Sequence, residues 1–365
     1  MVPVSSSAAA DTSWPVSGWS RRRPLALLAL LLPVLAAGAT VRDSAGVVVV
    51  ENPAPSPDAR LPWRVGPSPV LDVGRLDGPE THQLFRALHA HRLPDGRVAV
   101  ANAGSSEVRI FGADGEHLAT WGGEGDGPGE FRFPAKLVPW AGDTLGVWDL
   151  RLRRLTLFDT DGVPGRTLSL PDMAGIQAPS YADVLDEGGL VVTGTAFPED
   201  VGDDRTLTRY PFQAAVVTPE GELRGNLGSL PGRESRVRAR GNAIMIVRAP
   251  FAREALAAAA GNRVVFSPTD RWELRIHSAV GDLERIVRVD RRPRPVTGAD
   301  LAAEVERQVA RAPEQARAGL RASLEDGLAP DTMPAIRTVL EDAPGNLWVQ
   351  EYRPAAEDGP ETWSV

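Results

Sequence analysis

His89 and His91, in the run Ala-Leu-His-Ala-His-Arg-Leu, are the two closest-spaced histidines in this sequence, and both can do metal or proton chemistry. Residues two apart on a strand project from one face, so both imidazoles can address one point, a spacing that chelates a divalent metal if other segments add ligands. The competing reading assigns them to sheet packing or to the lining of a channel. Asn102, Asp149 and Glu351 each follow an apolar run with the character of an inner strand, where loops at one face can converge on a ligand or a Ca2+ ion. Polar side chains at such places also satisfy the amides of the adjoining turn, and both readings stand.

Other chemistries are excluded by what the residues lack. Glycines crowd positions 122–129, yet no Gly-Lys-Ser/Thr follows and no helix begins there whose N-terminus could hold phosphate. His-Glu-x-x-His and Gly-x-Ser-x-Gly do not occur, and with no cysteine there is no thiol nucleophile, thiolate metal site or disulfide. Glu199, Asp200, Asp203 and Asp204 lack the spacing of a calcium loop and read as solvated surface. Trp63, Trp121, Trp140, Trp148 and Trp348 read as packing residues, and His82, His117 and His277 as surface residues.

The elements that must position these side chains are short and numerous. In 365 residues there are 36 Gly and 32 Pro, scattered rather than clustered, as expected of many strands joined by tight turns. Gly96, Gly142 and Gly188 are spaced 46 residues apart, each opening a pair of turn signals such as Asp95-Gly96 and Asp114-Gly115. A period of about 40–50 residues matches one blade of a propeller. Between turns, apolar residues alternate with polar ones, as in Val108 and Ile110 against Glu107 and Arg109. The fold class is therefore an all-β propeller of four-stranded antiparallel blades, with strands at 86–93, 97–101, 107–111 and 116–121 in the first. Later blades are expected near 135–170, 180–227, 253–289 and 335–365. Ala255–Ala260 is helical by propensity, but its place in the repeat makes it an inner strand.

Val70-Leu71-Asp72-Val73-Gly74 repeats the pattern of Leu118 to Gly122, which predicts an outer strand that closes the ring against the C-terminal blade. Five closed blades or a truncated sixth both fit the repeat, and six with truncation is the expectation. Residues 297–326 break the strand pattern. Thr297 with Asp300 forms a capping box, and Leu301, Val305 and Val309 recur every four residues, predicting a helical pair that covers a blade edge or forms a lid over the channel.

Residues 20–39 join three arginines to an apolar run and end in Ala37-Gly38-Ala39, the pattern of an export signal cut after Ala39. The alternative is a retained N-terminal anchor, although Pro33 interrupts the run and it falls short of the ~20 residues of a spanning helix. Ser20-Arg21-Arg22 leaves twin-arginine export open beside the general route. The expected organisation is signal 1–39, N-terminal extension 40–68 and propeller 69–365, in the periplasm or outside the cell with no membrane span in the mature chain. Net charge is −8, against a nucleic-acid partner. Lys136 is the only lysine, which reads as an arginine-biased composition.

The run from Phe111 through Trp121-Gly122, Gly125, Gly127-Pro128-Gly129-Glu130-Phe131 and Pro134 to Asp149 resembles the NHL repeat. More broadly, from about Val47 onward the chain resembles exported six-bladed propellers of bacteria. The resemblance implies that Gly127 and Gly129 permit a tight blade-to-blade crossing and that Phe131 packs between blades. It implies no activity, because relatives include protein-binding and RNA-binding scaffolds and a metal-dependent lyase. The expectation is a scaffold, without catalysis or cofactor, binding a peptide, protein or small ligand through loops at one face, with His89, His91, Asn102, Asp149 and Glu351 as candidates. The alternative is a hydrolase or lyase with a divalent metal at the channel.

Overall fold

In the computed structural model the described residues are 38–56, 58–59, 68–140, 143–170, 176, 179–196, 206–240, 243–325, 328–342, 344–355, 357 and 361–365. The expected acidic loop at 199–204, Trp63 and nearly all of the expected signal lie outside them.

The first hairpin, β1 (Thr40–Ser44) and β2 (Val47–Asn52), precedes the repeats. Blade one is β3 (Ala87–Arg92), β4 (Val98–Asn102), β5 (Glu107–Phe111) and β6 (His117–Gly122), within one residue of the boundaries read from the sequence. Blade two is β7 (Pro134–Trp140), β8 (Thr144–Asp149), β9 (Arg154–Phe158) and β10 (Pro164–Ser169). Blade three runs through β11 (Ser180–Val184), β12 (Leu190–Thr195), β13 (Thr208–Val217), β14 (Leu223–Arg240) and β15 (Ala243–Arg248). Blade four comprises β16 (Ala255–Ala260), β17 (Arg263–Pro268), β18 (Glu273–Ser278) and β19 (Leu283–Val289). After helices α1 (Gly298–Arg311) and α2 (Glu314–Glu325), blade five has β20 (Ile336–Glu341), β21 (Leu347–Glu351) and β22 (Trp363–Ser364).

The second strand of blades one to four is buried from both sides by alternation. In blade three, Val192 and Val217 face blade two, while Val191 and Val216 face blade four. Four apolar clusters of this kind join successive blades from one to five, and among the described residues none joins blade five to blade one. Phe131 is fully buried in one cluster with Trp121 of blade one and Phe158 of blade two, which stack on each other, and its ring centroid is 5.6 Å from that of Phe158. Phe131 thus packs between the first two blades, as expected of it. Gly162 sits at φ +83 with the Trp121 ring 2.2 Å from where a Cβ would lie, so only glycine lets that turn approach the ring.

Three expectations are corrected. Among the described residues there are five blades rather than six, and blade five has three strands. Val70–Val73 forms no strand; Val70 is 99% exposed, and Leu71 and Val73 lie against the Gly115 turn. Instead β2 pairs in parallel with the outer strand of blade four, Val48 opposite Arg285 through Asn52 opposite Val289, extending that sheet to six strands. The four consecutive valines of β2 suit this edge better than the Pro- and Gly-flanked segment at 70–74, and the pairing covers open backbone that would invite association. Blade three also continues beyond 227, because β14 outruns β13 and pairs its second half with β15.

The helical pair follows the sequence closely. Thr297 and Asp300 form the reciprocal capping box, and Val305, Val309 and Leu324 are buried together. Among the described residues no helix is long and apolar enough to cross a membrane.

Candidate functional site at the channel

The innermost strand of every blade contributes to one cavity of about 630 Å3. His89 and His91 enter it from blade one, Lys136 and Trp140 from blade two, Asp183 from blade three, Ala259 from blade four, and Leu340 and Glu341 from blade five. Strand alternation explains why both histidines face it, as their spacing indicated. Leu137, Pro139 and Trp140 supply apolar surface beside the charged groups.

Side chains tie neighbouring blades around this cavity. The Leu137 amide donates to Nδ1 of His89 at 3.4 Å, joining blades one and two and leaving Nε2 to carry the proton of the neutral ring. Lys136 Nζ lies 3.5 Å from Asp183 Oδ1, joining blades two and three. The Ala259 amide donates to Asp183 Oδ2 at 3.0 Å, joining three and four, and the Gly261 amide donates to Glu341 Oε2 at 2.6 Å, joining four and five. Burial holds the His89 imidazole below its usual value, the charges of Lys136 and His91 push the same way, and Asp183 opposes them. Burial lowers His91 as well. Both rings are therefore neutral at pH 7 and present donors and acceptors rather than charge.

The other sequence candidates lie elsewhere. Asp149 is 1% exposed and accepts from four amides, those of Arg132 (2.7 Å), Phe133 (2.9 Å), Arg151 (2.9 Å) and Leu152 (2.8 Å). Asn102 is fully buried, accepts from the Phe85 amide at 2.7 Å and donates to Ser105 Oγ at 2.6 Å. In blade four Thr269 takes the same place, accepting from the Glu254 amide at 2.9 Å. These are repeat-equivalent clasps fastening the end of a blade's second strand to the chain entering its first. Glu351 lies at the corresponding end of blade five, paired through both oxygens with Arg291 at 2.9 and 2.5 Å. None of the three lines the cavity with His89 and His91. Among the described residues no three His, Asp or Glu side chains are grouped to hold a metal ion.

Lys136 and Asp183 were missed. The signal available was that the only lysine stands on an inner strand, in the segment paired with His89. His277, read as a surface residue, is 7% exposed, with its ring 6.1 Å from Phe266, because both faces of β18 are packed.

Five small sheets joined face to face around one cavity make the chain a β-propeller scaffold. No family model matches it, and no curated protein sequence matches it. It is similar to the solved structure of a Bacteroides fragilis protein assigned as exported, at 11% identity and TM-score 0.45, over 84% of this chain and 75% of that one. It is also similar to a streptogramin B lyase at 13% identity and TM-score 0.30, over 55% of this chain and 66% of that one. The virginiamycin B lyase of Staphylococcus aureus is similar at 10% identity and TM-score 0.27, over 58% and 87%. Likeness at this level transfers no ligand, partner or activity.

Proposed function

We propose that this propeller is an exported binding scaffold that takes a peptide segment or small ligand into the mouth of its channel, without chemical turnover. The observation that carries the reading is the convergence of five inner strands on one cavity holding His89, His91 and the chain's only lysine. A cavity of about 630 Å3 with mixed apolar and polar walls has the size and character of small-ligand sites. Export rests on the leader-like residues 20–39. A metal-dependent hydrolase or lyase would need a third ligand beside the histidines, and Asp183 in the same cavity is engaged by Lys136 and the Ala259 amide.

The test is a melting screen of the protein against defined tripeptide and metabolite libraries, repeated on His91→Ala and Lys136→Met. A compound that stabilises the wild type in a saturable manner and neither variant supports the reading. Hits that act equally on all three proteins, or no saturable hit, reject it.

A further inference from the structure

At the opposite ends of the innermost strands a second cleft, about 520 Å3 in volume, lies between α1 and the loops that feed blades four and five. Its walls carry five guanidinium groups, those of Arg248, Arg307, Arg311, Arg337 and Arg353, against the carboxylates of Glu254 and Glu304. The whole chain has a net charge of −8, so this positive concentration is local and is not a by-product of composition.

Both carboxylates are already committed. Glu254 accepts from Arg233 at 2.7 Å and from Arg248 at 3.4 Å. Glu304, only 7% exposed, holds Arg307 through both oxygens and accepts from Gln308 at 2.8 Å, which fixes the Arg307 fork at the wall. Arg311 and Arg337 are exposed, and among the described residues neither side chain makes a hydrogen bond or an ion pair within 4.0 Å; the charge of Arg311 reaches Glu304 only at longer range. Tyr352 stands among these groups: burial pushes its phenol up, Glu304 acts in the same sense, and Arg248, Arg337 and Arg307 oppose. The phenol therefore keeps its proton at neutral pH and can donate. Phe251, at 5% exposure, and Ile336, at 1%, form the apolar floor. Phe251 has φ +53, which is rare for a bulky residue, and the turn is braced by Arg253, which donates to Glu234 at 2.9 and 2.5 Å.

Guanidinium forks match the two-oxygen edge of a carboxylate or a phosphate, and convergent unpaired forks favour a ligand with more than one negative charge. The cleft's volume limits that ligand to a small molecule. We propose that the cleft between α1 and blades four and five is a binding site for a small multivalent oxyanion, separate from the channel mouth.

Isothermal titration of the full chain with citrate and with inorganic pyrophosphate tests this and distinguishes the two sources of the charge. Saturable binding of at least one probe is expected, weakened about tenfold or more by combined Arg311→Gln and Arg337→Gln and unchanged by Arg166→Gln, a distant exposed arginine. In the unaltered protein, the bound probe should slow phenylglyoxal modification of Arg311 and Arg337, but not of Arg166, as read by mass spectrometry. Failure of both probes to bind at millimolar concentration, binding indifferent to the paired substitution, or absence of site-selective protection overturns the proposal.

Discussion

Lys136 and Asp183, 47 positions apart in the chain, meet between neighbouring blades at the channel wall with Nζ 3.5 Å from Oδ1, and the same carboxylate takes the Ala259 amide at 3.0 Å. One carboxylate thus links the second, third and fourth blades. The two side chains are 29% and 32% exposed, so the ion pair itself contributes about 1 kcal/mol or less. Its larger consequence is electrostatic, because Lys136 places a positive charge beside a partly buried imidazole.

Lys136→Met should therefore raise the His89 pKa towards its ordinary value, since one of the influences that depress it is removed. Stability should change by about 1 kcal/mol or less. NMR titration of the ring protons reads the first effect and urea unfolding the second. A His89 pKa that falls or stays fixed would show that Lys136 does not act on the ring.

Asp149→Ala leaves four amides in a buried place without their acceptor, and a loss of about 3 kcal/mol is expected. Asn102→Ala, which removes one amide's acceptor and a side-chain bond, should cost about 2 kcal/mol. Urea denaturation decides: if Asp149→Ala lost less than about 1 kcal/mol, the clasp would not be what holds the blade's inner strand in place.

What could be read from the sequence was local. Blade one was legible because a two-residue period and paired turns fix strand limits without reference to distant chain, and Thr297 with Asp300 marked the start of α1 in the same way. Ala255–Ala260 shows repeat position overriding helix propensity. The relationships that failed are non-local. Val70–Val73 carries the apolar pattern of an outer strand, but β2 found the free edge of β19, 236 residues beyond Asn52 at Arg288, where Asn52 Nδ2 donates to the carbonyl at 3.1 Å. His277 sits on the polar side of its strand's alternation, yet that side also packs. At the channel the spacing of His89 and His91 gave the face they share, whereas Asp183 could be placed there only by the closure of three blades.

The paired edge makes a contrast between two valines. Val49 is 3% exposed and stands in register with Ile286, so Val49→Asp buries an unpaired carboxylate and should cost about 3 kcal/mol. Val70 is 99% exposed, and Val70→Asp should be neutral within about 0.5 kcal/mol. Thermal and urea unfolding of the two variants compare the segments directly. The reverse order of effects would restore Val70–Val73 as the strand that completes a blade.

Acidification should weaken the fold in the range where histidine titrates. Burial lowers the imidazoles of His89, His91 and His277 in the folded state, and at His277 the Arg275 charge adds to the effect while backbone hydrogen bonds oppose it without reversing it; its Nδ1 has no hydrogen-bond partner among the described residues. The unfolded chain therefore binds these protons first as pH falls through about 6.5, and stability is lost from there down to the folded-state values. The carboxylates act in a lower window. At Glu273 burial favours the neutral form, but hydrogen bonds from Arg288 and Arg275 outweigh it and lower its pKa, so its contribution is lost only below about 4.5. The melting temperature should therefore hold between pH 8 and 7 and decline between pH 6.5 and 5, before Glu273 matters. His277→Gln, which keeps a polar group but cannot take up the proton, should flatten that decline whatever its effect at pH 8. An identical slope in wild type and variant would mean that the buried ring accepts its proton in the folded state as readily as in the unfolded chain.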